Sequence, residues 1–251
     1  MCTPGFSFIM PTYNRAFCIC NAIDSVLAQN YDNLELIIVD DGSTDGTEEL
    51  IKKKYPSELS SGKIRYVFGE HKGVCPARNV GLKNARKEWI AYIDSDNTIV
   101  SDFIQTYRKA MRWHPWKKIF YAQYKGNTSG IVSGKKFSRK SLIKGNYIDM
   151  GALVHAREVY EKLGGFDESL TRLVDYDLVL TYTEHYKPYF IKKVVVHYND
   201  AQDHKRISNT GIDVAIENAK KIIAKHFSQE ERDKYLGDNY FEQFKKQEKN
   251  N

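Results

Sequence analysis

The sequence predicts an α/β fold with a mostly parallel central sheet flanked by helices. Two observations carry this. Short apolar runs almost devoid of polar residues alternate with helical periods through the first half of the chain, as expected of strands covered on both faces. Each run is also followed by a polar, flexible segment: PTYNR (11–15), DDGSTD (40–45), GEHKG (69–73) and DSDN (94–97). In parallel sheets ligands bind outside the carboxyl ends of the strands, so these four segments are expected to converge on one edge as a site.

Residues 6–10 form a short apolar strand closed by Pro11. Ile19, Ala22, Ile23, Val26 and Leu27 fall on one helical stripe within 16–29, with Asn14 placed to cap it. LELIIV (34–39) is a β-rich run closed by Asp40-Asp41-Gly42, and Asp45 and Glu48 have capping-box spacing for a helix to about Tyr55. KIRYVF (63–68) reads as the third strand, 76–85 as a helix with proline in its first turn, and WIAYI (89–93) as the fourth strand. A helix then runs from Asp102 to about His114, where Trp113 and Trp116 are expected to close it against the core, with sugar stacking as the alternative. IFYAQY (119–124) reads as a strand, and 125–146, with five Lys, one Arg and four Gly, as a long exposed excursion. Helices over 157–163 and 176–186 and a strand over 189–198 follow. Ile212, Ala215, Ile216, Ala219, Ile222 and Ile223 then form a stripe on a C-terminal helix. The charged chain from Ser228 reads either as a solvated helix or as a peripheral foot. With neither repeats nor a linker, the expected division is one domain over 1–210 and a helical extension over 211–251 packed on or beside it.

A chain of 251 residues with 41% apolar content has enough material for a large single core. The net charge of +6, from 38 Lys+Arg against 32 Asp+Glu, favours anionic partners weakly. No nucleic acid is expected as partner, because no basic cluster alternates with aromatics in a recognisable module. The four cysteines at 2, 18, 20 and 75 have no CxxC spacing and read as reduced thiols in a cytoplasmic setting. MCTPGFSFIMPTYN is broken by Pro4 and Pro11 and lacks a leader pattern, and no apolar window is long enough to span a bilayer. Peripheral contact at the inner face of a membrane stays open.

PTYNRA supplies neither the glycine cradle of a dinucleotide-binding turn nor a P-loop. Asp40-Asp41 is either a turn leading to the next helix or a carboxylate acceptor for a base or ribose. Asp94 and Asp96 form a DxD that caps the strand or holds a divalent cation and a sugar.

Four motifs in order, FSFIMPTYNRA, LELIIVDDGSTDGT, GVCPARNVGLKNARKEWIAYIDSDN and GGFDESLTRLVDYDLVL, give a resemblance to the family 2 glycosyltransferases over about residues 6–205. The resemblance implies a GT-A nucleotide-sugar-binding fold, Rossmann-like in its N-terminal half. It implies that Thr12, Tyr13 and Asn14 form the first nucleotide-contacting loop, that Asp41 faces a uracil ring, and that Asp40 lies beside it near the sugar. Arg78 is similar to an arginine that approaches the nucleotide. Asp94 and Ser95 would line the donor, and Asp96 would ligate Mn2+ or Mg2+, with His204 in HKRIS a second candidate ligand; His197 is a weaker one. Asp175 falls at the general base, although the family's preceding Glu is Val174 here. Asp177, two residues on and pointing nearly the opposite way on a helix, is expected to be structural.

The implied activity is inverting, metal-dependent transfer of a glycosyl group from a nucleotide-sugar, expected to be a UDP-sugar. The acceptor would be a hydroxyl of a saccharide or lipid-linked saccharide, in surface polysaccharide biosynthesis. A sugar-nucleotide pyrophosphorylase would want a glycine-rich basic loop after the first strand, which PTYNRA does not supply. A non-catalytic carbohydrate-binding module would have no use for the full set of carboxylates.

Overall fold

A computed structural model describes residues 3–200 and 212–236. The first strand, β1 (Phe6–Thr12), is wholly buried and runs through Pro11. Its pairing with the neighbour on one side ends at Ile9, so the missing N–H of Pro11 leaves no ladder partner unsatisfied there. Then come α1 (Ile19–Leu27), β2 (Leu34–Asp40), α2 (Thr47–Lys54), a short α3 (Pro56–Ser60), β3 (Ile64–Phe68), α4 (Val74–Asn84) and β4 (Trp89–Tyr92). Asn14 does not cap α1: it sits in the left-handed region (φ 53°), and its Oδ1 accepts the Thr44 N–H instead. The two-residue β5 (Thr98–Ile99) leads into α5 (Phe103–Trp113), followed by β6 (Ile119–Gly126), β7 (Val132–Ser133) and α6 (Arg139–Ile143). A 3-10 turn at Met150–Ala152 precedes β8 (Leu153–Ala156), α7 (Arg157–Leu163), α8 (Val174–His185), β9 (Tyr189–Tyr198), α9 (Ile212–His226) and α10 (Gln229–Tyr235).

Among the described residues the strands form one sheet in the order β3-β2-β1-β4-β8-β6-β9-β5, with β7 paired to β6. β3, β2, β1 and β4 are parallel, as expected. Beyond β4 the sheet is mixed: β8 is antiparallel to both β4 and β6, while β6 and β9 are parallel. Side-chain alternation along the strands sends Phe6, Phe8 and Met10 to a core under α1, α2 and α5, and Ile9, Ile37 and Val39 to a core under α4, α7, α8 and α9. The chain leaves β1 to build β2 and β3 on one side and then crosses to β4 on the other. That reversal opens a crevice between the carboxyl ends of β1 and β4.

One expectation holds only in part and another fails. The basic stretch 125–146 is exposed over 127–132 as expected, but it is anchored further on. Leu142 and Ile143 are fully buried, their carbonyls accept the Tyr176 hydroxyl, and Tyr121 donates to the Lys135 carbonyl. The few apolar residues that anchor it are diluted by lysines in the sequence. The tryptophans at the end of α5 do not close against the core: Trp113 and Trp116 are 69% and 68% exposed. The expected domain boundary at 210 falls outside the described residues, but α9 buries Ala215, Ala219 and Ile222, and Ile222 shares a core cluster with Leu178 and Tyr182 of α8.

Candidate active site

The four polar segments after β1 to β4 do meet, and the first two are laced together. Asp41 N–H donates to the Thr12 carbonyl, Asn14 N–H to Ser43 Oγ, Arg15 N–H to Thr47 Oγ1 and Ala16 N–H to Asp45. Asp40 is fully buried, and its carboxylate accepts from Ser43 N–H and the Tyr66 hydroxyl. Asp40 therefore holds the turn, and the expectation that it contacts a donor is corrected. Asp41 accepts from Lys72 N–H at 2.8 Å, Gly73 N–H at 2.9 Å and His71 Nδ1 at 2.7 Å. A carboxylate offers about four acceptor positions, so about one remains. His71 Nδ1 also lies 3.1 Å from the Asp41 carbonyl, so this nitrogen faces two acceptors and carries the proton. The His71 ring stacks on Tyr13 with centroids 4.0 Å apart and planes 17° apart, and Tyr13 is 42% exposed. Thr12 Oγ1 is buried with no partner among the described residues.

Between β1 and β4 lies the charged centre. Asn97 N–H donates to the Asp94 carbonyl and closes a tight turn that carries Asp94 and Asp96. Both are half-buried, while Ser95 between them is buried and its carbonyl accepts from the Cys18 thiol. Ser95 is thus less open to a ligand than expected. Asn97 Oδ1 accepts Asn199 N–H, bringing the end of β9 to this turn.

Arg78 on α4 is 4% exposed and grips two carboxylates, Asp175 through Nη1 at 2.5 Å and Asp94 through Nη2 at 2.8 Å. Burial opposes its charge, but Asp175 and Asp94 outweigh this and hold it firmly protonated. Its guanidinium packs 5.1 Å over Phe166, and its Nε is buried without a partner among the described residues. Arg78 therefore aligns carboxylates rather than reaching out to a nucleotide. Asp175, in the first turn of α8, keeps about a third of its side chain open. Its pKa is raised, because burial and the Asp94 charge outweigh the pull of Arg78. A third carboxylate, Asp149, accepts Gly151 N–H at the start of the 3-10 turn. Burial, then Asp94 and Asp175, push its pKa up to about 7.

Residues beside Arg78 set this arrangement. A Cβ at Gly81 would run into Ile9, so glycine lets α4 lie directly on β1. Asn79 reaches across to the GGF turn: its Oδ1 accepts Phe166 N–H at 2.8 Å, and its Nδ2 donates to the Phe166 carbonyl and to Glu168. Gly165 is required at that turn because a Cβ there would strike Asn79 Oδ1. Leu173, just before α8, holds the left-handed conformation (φ 60°), a strained backbone at the entry to Asp175.

Asp177 is 2% exposed and points away into α9, where Lys225 Nζ donates at 2.9 Å and His226 Nε2 lies at 2.9 Å. Sequence reasoning thus separated Asp175 from Asp177 by helix geometry. It missed His71, Asp149 and the Asn97–Asn199 link. His71 lay within the GEHKG segment, but nothing in one sequence marked Asp149. His204 lies outside the described residues. Among the described residues no cluster of three or more His, Cys, Asp or Glu is arranged to hold a metal ion, and no helix is long and apolar enough to cross a membrane.

The sequence and the fold match known proteins. The profile of Glycosyl transferase family 2 matches residues 7–147. An uncharacterized glycosyltransferase of Rickettsia typhi is 31% identical over 216 residues, spanning 80% of this chain and 66% of its own. Chondroitin synthase of Escherichia coli is 26% identical over 231 residues, 90% of this chain and 33% of that protein. Among solved structures, S. aureus TarS 1–349 in complex with UDP-GlcNAc superposes with a TM-score of 0.71 at 19% identity, covering 90% of this chain and 68% of that one. The mannosyltransferase PcManGT of Pyrobaculum calidifontis, in complex with GDP-Man and Mn2+, gives 0.65 at 21% identity, covering 88% and 64%. The chain belongs to glycosyl transferase family 2. It spans no more than about two thirds of the length of the curated relatives described here.

Proposed function

We propose that the chain transfers a glycosyl group from a UDP-sugar to a hydroxyl of a saccharide or lipid-linked saccharide, with inversion, in surface polysaccharide synthesis. The observation that carries this is the Arg78 bridge, which sets a donor-side carboxylate, Asp94, and a candidate base, Asp175, on one guanidinium at the mouth of the β1/β4 crevice. Uracil would stack on Tyr13 and give its single N3–H to the acceptor position left on Asp41, with Thr12 Oγ1 a further polar partner nearby. Asp175 would take the acceptor hydroxyl's proton as that oxygen bonds to the anomeric carbon and the bond to the UDP phosphate breaks. Burial keeps it basic enough for this role.

Oxygen donors on the Asp94–Asp96 turn suit Mn2+ or Mg2+, which bind through one or two carboxylates completed by substrate phosphates. Asp96 would hold the ion, and the ion would supply charge neutralisation on the departing diphosphate. Calorimetric titration with UDP and GDP, with Mn2+ and with EDTA, tests this together with UDP release across a panel of UDP-sugars. The expected result is UDP binding that weakens in EDTA. Equal affinity without metal would remove the metal role, and preference for GDP would remove the base assignment.

A further inference from the structure

Residues 103–148 contain eleven Lys and Arg and not one Asp or Glu, although the whole chain is only +6, so the remainder is net acidic. Part of this cationic run is absorbed by the fold. Arg139 bonds the His226 carbonyl and Glu231, Lys135 lies over the Tyr147 ring, and Lys118 pairs with Glu158. Of the cations that stay open, some lie along 125–144, and a separate group flanks the turn from α5 into β6. Lys109, Arg112, Trp113, Pro115 and Trp116 are all exposed, and Lys117 donates to the carbonyl of Lys187, a further exposed cation. Lys109, Arg112 and Trp113 are spaced i, i+3 and i+4 and share one face of α5. His114 is turned inward onto Tyr189 with ring centroids 3.9 Å apart, which fixes the turn and leaves both indoles outside.

We propose that the Trp113–Trp116 turn and the cations around it are a docking face for an anionic phospholipid surface. Indole rings settle at the headgroup level of a bilayer, and lysine and arginine stems extend over apolar surface while their charges meet lipid phosphates. Two exposed indoles on one turn, flanked by the exposed cations Lys109, Arg112 and Lys187, fit that interface. A protein partner would be expected to need acidic or mixed complementarity here. The location has a consequence. Ala156 pairs with Trp89, the first residue of β4, and its N–H donates to the Lys118 carbonyl, so the turn lies at the amino edge of the sheet. The candidate cleft lies at the opposite edge, so a bilayer on this face leaves the cleft open to the aqueous side. The inference stands apart from the choice of donor and acceptor.

The test mixes the protein with vesicles of phosphatidylcholine, alone or with an equal part of phosphatidylglycerol, reading tryptophan emission and co-sedimentation. Of the three tryptophans, Trp89 packs on Phe120 and is half-buried, so a blue shift reports Trp113 and Trp116. Wild-type protein should shift and sediment with the anionic vesicles only, and less so as salt rises. Trp113→Ala with Trp116→Ala should abolish both signals while UDP affinity and melting temperature stay unchanged. Each basic side chain near an anionic surface strengthens partitioning about fivefold, so Lys109→Gln with Arg112→Gln should weaken it roughly twenty-five-fold. The proposal is overturned by an unshifted wild-type emission, by equal binding to phosphatidylcholine alone, or by a double-tryptophan variant that sediments like wild type. Self-association that blue-shifts the emission without vesicles would also overturn it, in favour of a second copy.

Discussion

Asp175→Asn separates chemistry from architecture at the candidate site. In the folded protein Asp175 accepts from Arg78 Nη1 at 2.5 Å, and Asp94 accepts from Nη2 at 2.8 Å. An asparagine Oδ1 can accept the same hydrogen bond, so the guanidinium keeps both partners and the helix start keeps its shape. Removing the negative charge costs little, because burial and Asp94 already outweigh what Arg78 gives to that charge. The expected change in stability is within about 1 kcal/mol, which is about 2–4 °C in melting temperature for a domain of this size. Loss of a general base typically costs about 10²–10⁴ in rate, so turnover measured as UDP release should fall on that scale while UDP affinity holds. The pH profile adds a second readout. A base works deprotonated, so wild-type turnover should fall as pH drops through a value above the ordinary carboxylate range. The variant should lack that limb. Near-wild-type turnover in a folded D175N protein, or an unchanged acid limb in its profile, would refute the assignment.

Asp177→Asn should show the reverse pattern. It strips a buried carboxylate from Lys225 and His226, and with Lys225 partly solvated a loss of about 2–3 kcal/mol is expected in thermal melts, with UDP affinity intact. Tyr13→Ala should weaken UDP binding by about 1–3 kcal/mol through lost base stacking, whereas Tyr13→Phe should retain it; calorimetry that finds the two alike places the base elsewhere. Asp149→Asn tests the third carboxylate through linkage. Because its pKa rises from 3.8 to about 7 on folding, its contribution is full below the unfolded value and is lost as pH climbs to about 7. Asparagine cannot ionise, so in EDTA the variant should gain about 2 kcal/mol on wild type between acid and neutral pH. A melting difference that does not change with pH would contradict that shift.

The parts of the fold that could be read in advance are those whose signal is local and dense. LELIIV and YFIKKVVVHY are continuous β-rich runs, and the latter matches β9 residue for residue. β8 was missed because LVHA is only four residues long and runs directly into the next helix. Segment 125–146 misled for a related reason: burial there rests on Leu142 and Ile143 in a short helix, while the lysines that dominate its composition face outward or take local partners. At the site, carboxylates after strands were visible as candidates, but which ones are committed to the turn was not. Asp40 and Asp41 are neighbours in sequence. Only the position of Tyr66, one strand away, shows that Asp40 is held inside.

The ARNVG motif shows most clearly what a sequence motif can hide. Read as a string it offers one arginine to an anionic ligand, yet in three dimensions its residues do three linked jobs. Gly81 brings α4 onto β1, Asn79 ties α4 to the Gly165–Phe166 turn, and Arg78 joins the end of β4 to the start of α8. Each acts on a different element, and all three fix where Asp175 stands relative to Asp94. Phe166 is shared between the second and third jobs, since its backbone is held by Asn79 and its ring lies under Arg78. Asn79→Ala should therefore act at a distance. It removes hydrogen bonds to both the N–H and the carbonyl of Phe166, with a cost of about 1–3 kcal/mol where a buried group is left unpaired. It also frees the turn that precedes α8. Turnover should fall more than UDP affinity, because the donor side of the crevice is built on β1, β2 and β4 and does not depend on that turn. Displacing a reacting group by about 1 Å can cost about 10² in rate, which sets the scale. If N79A lowers UDP affinity as much as turnover, Asn79 serves the donor loops directly, and the separation of the cleft into a donor side and a base side is wrong.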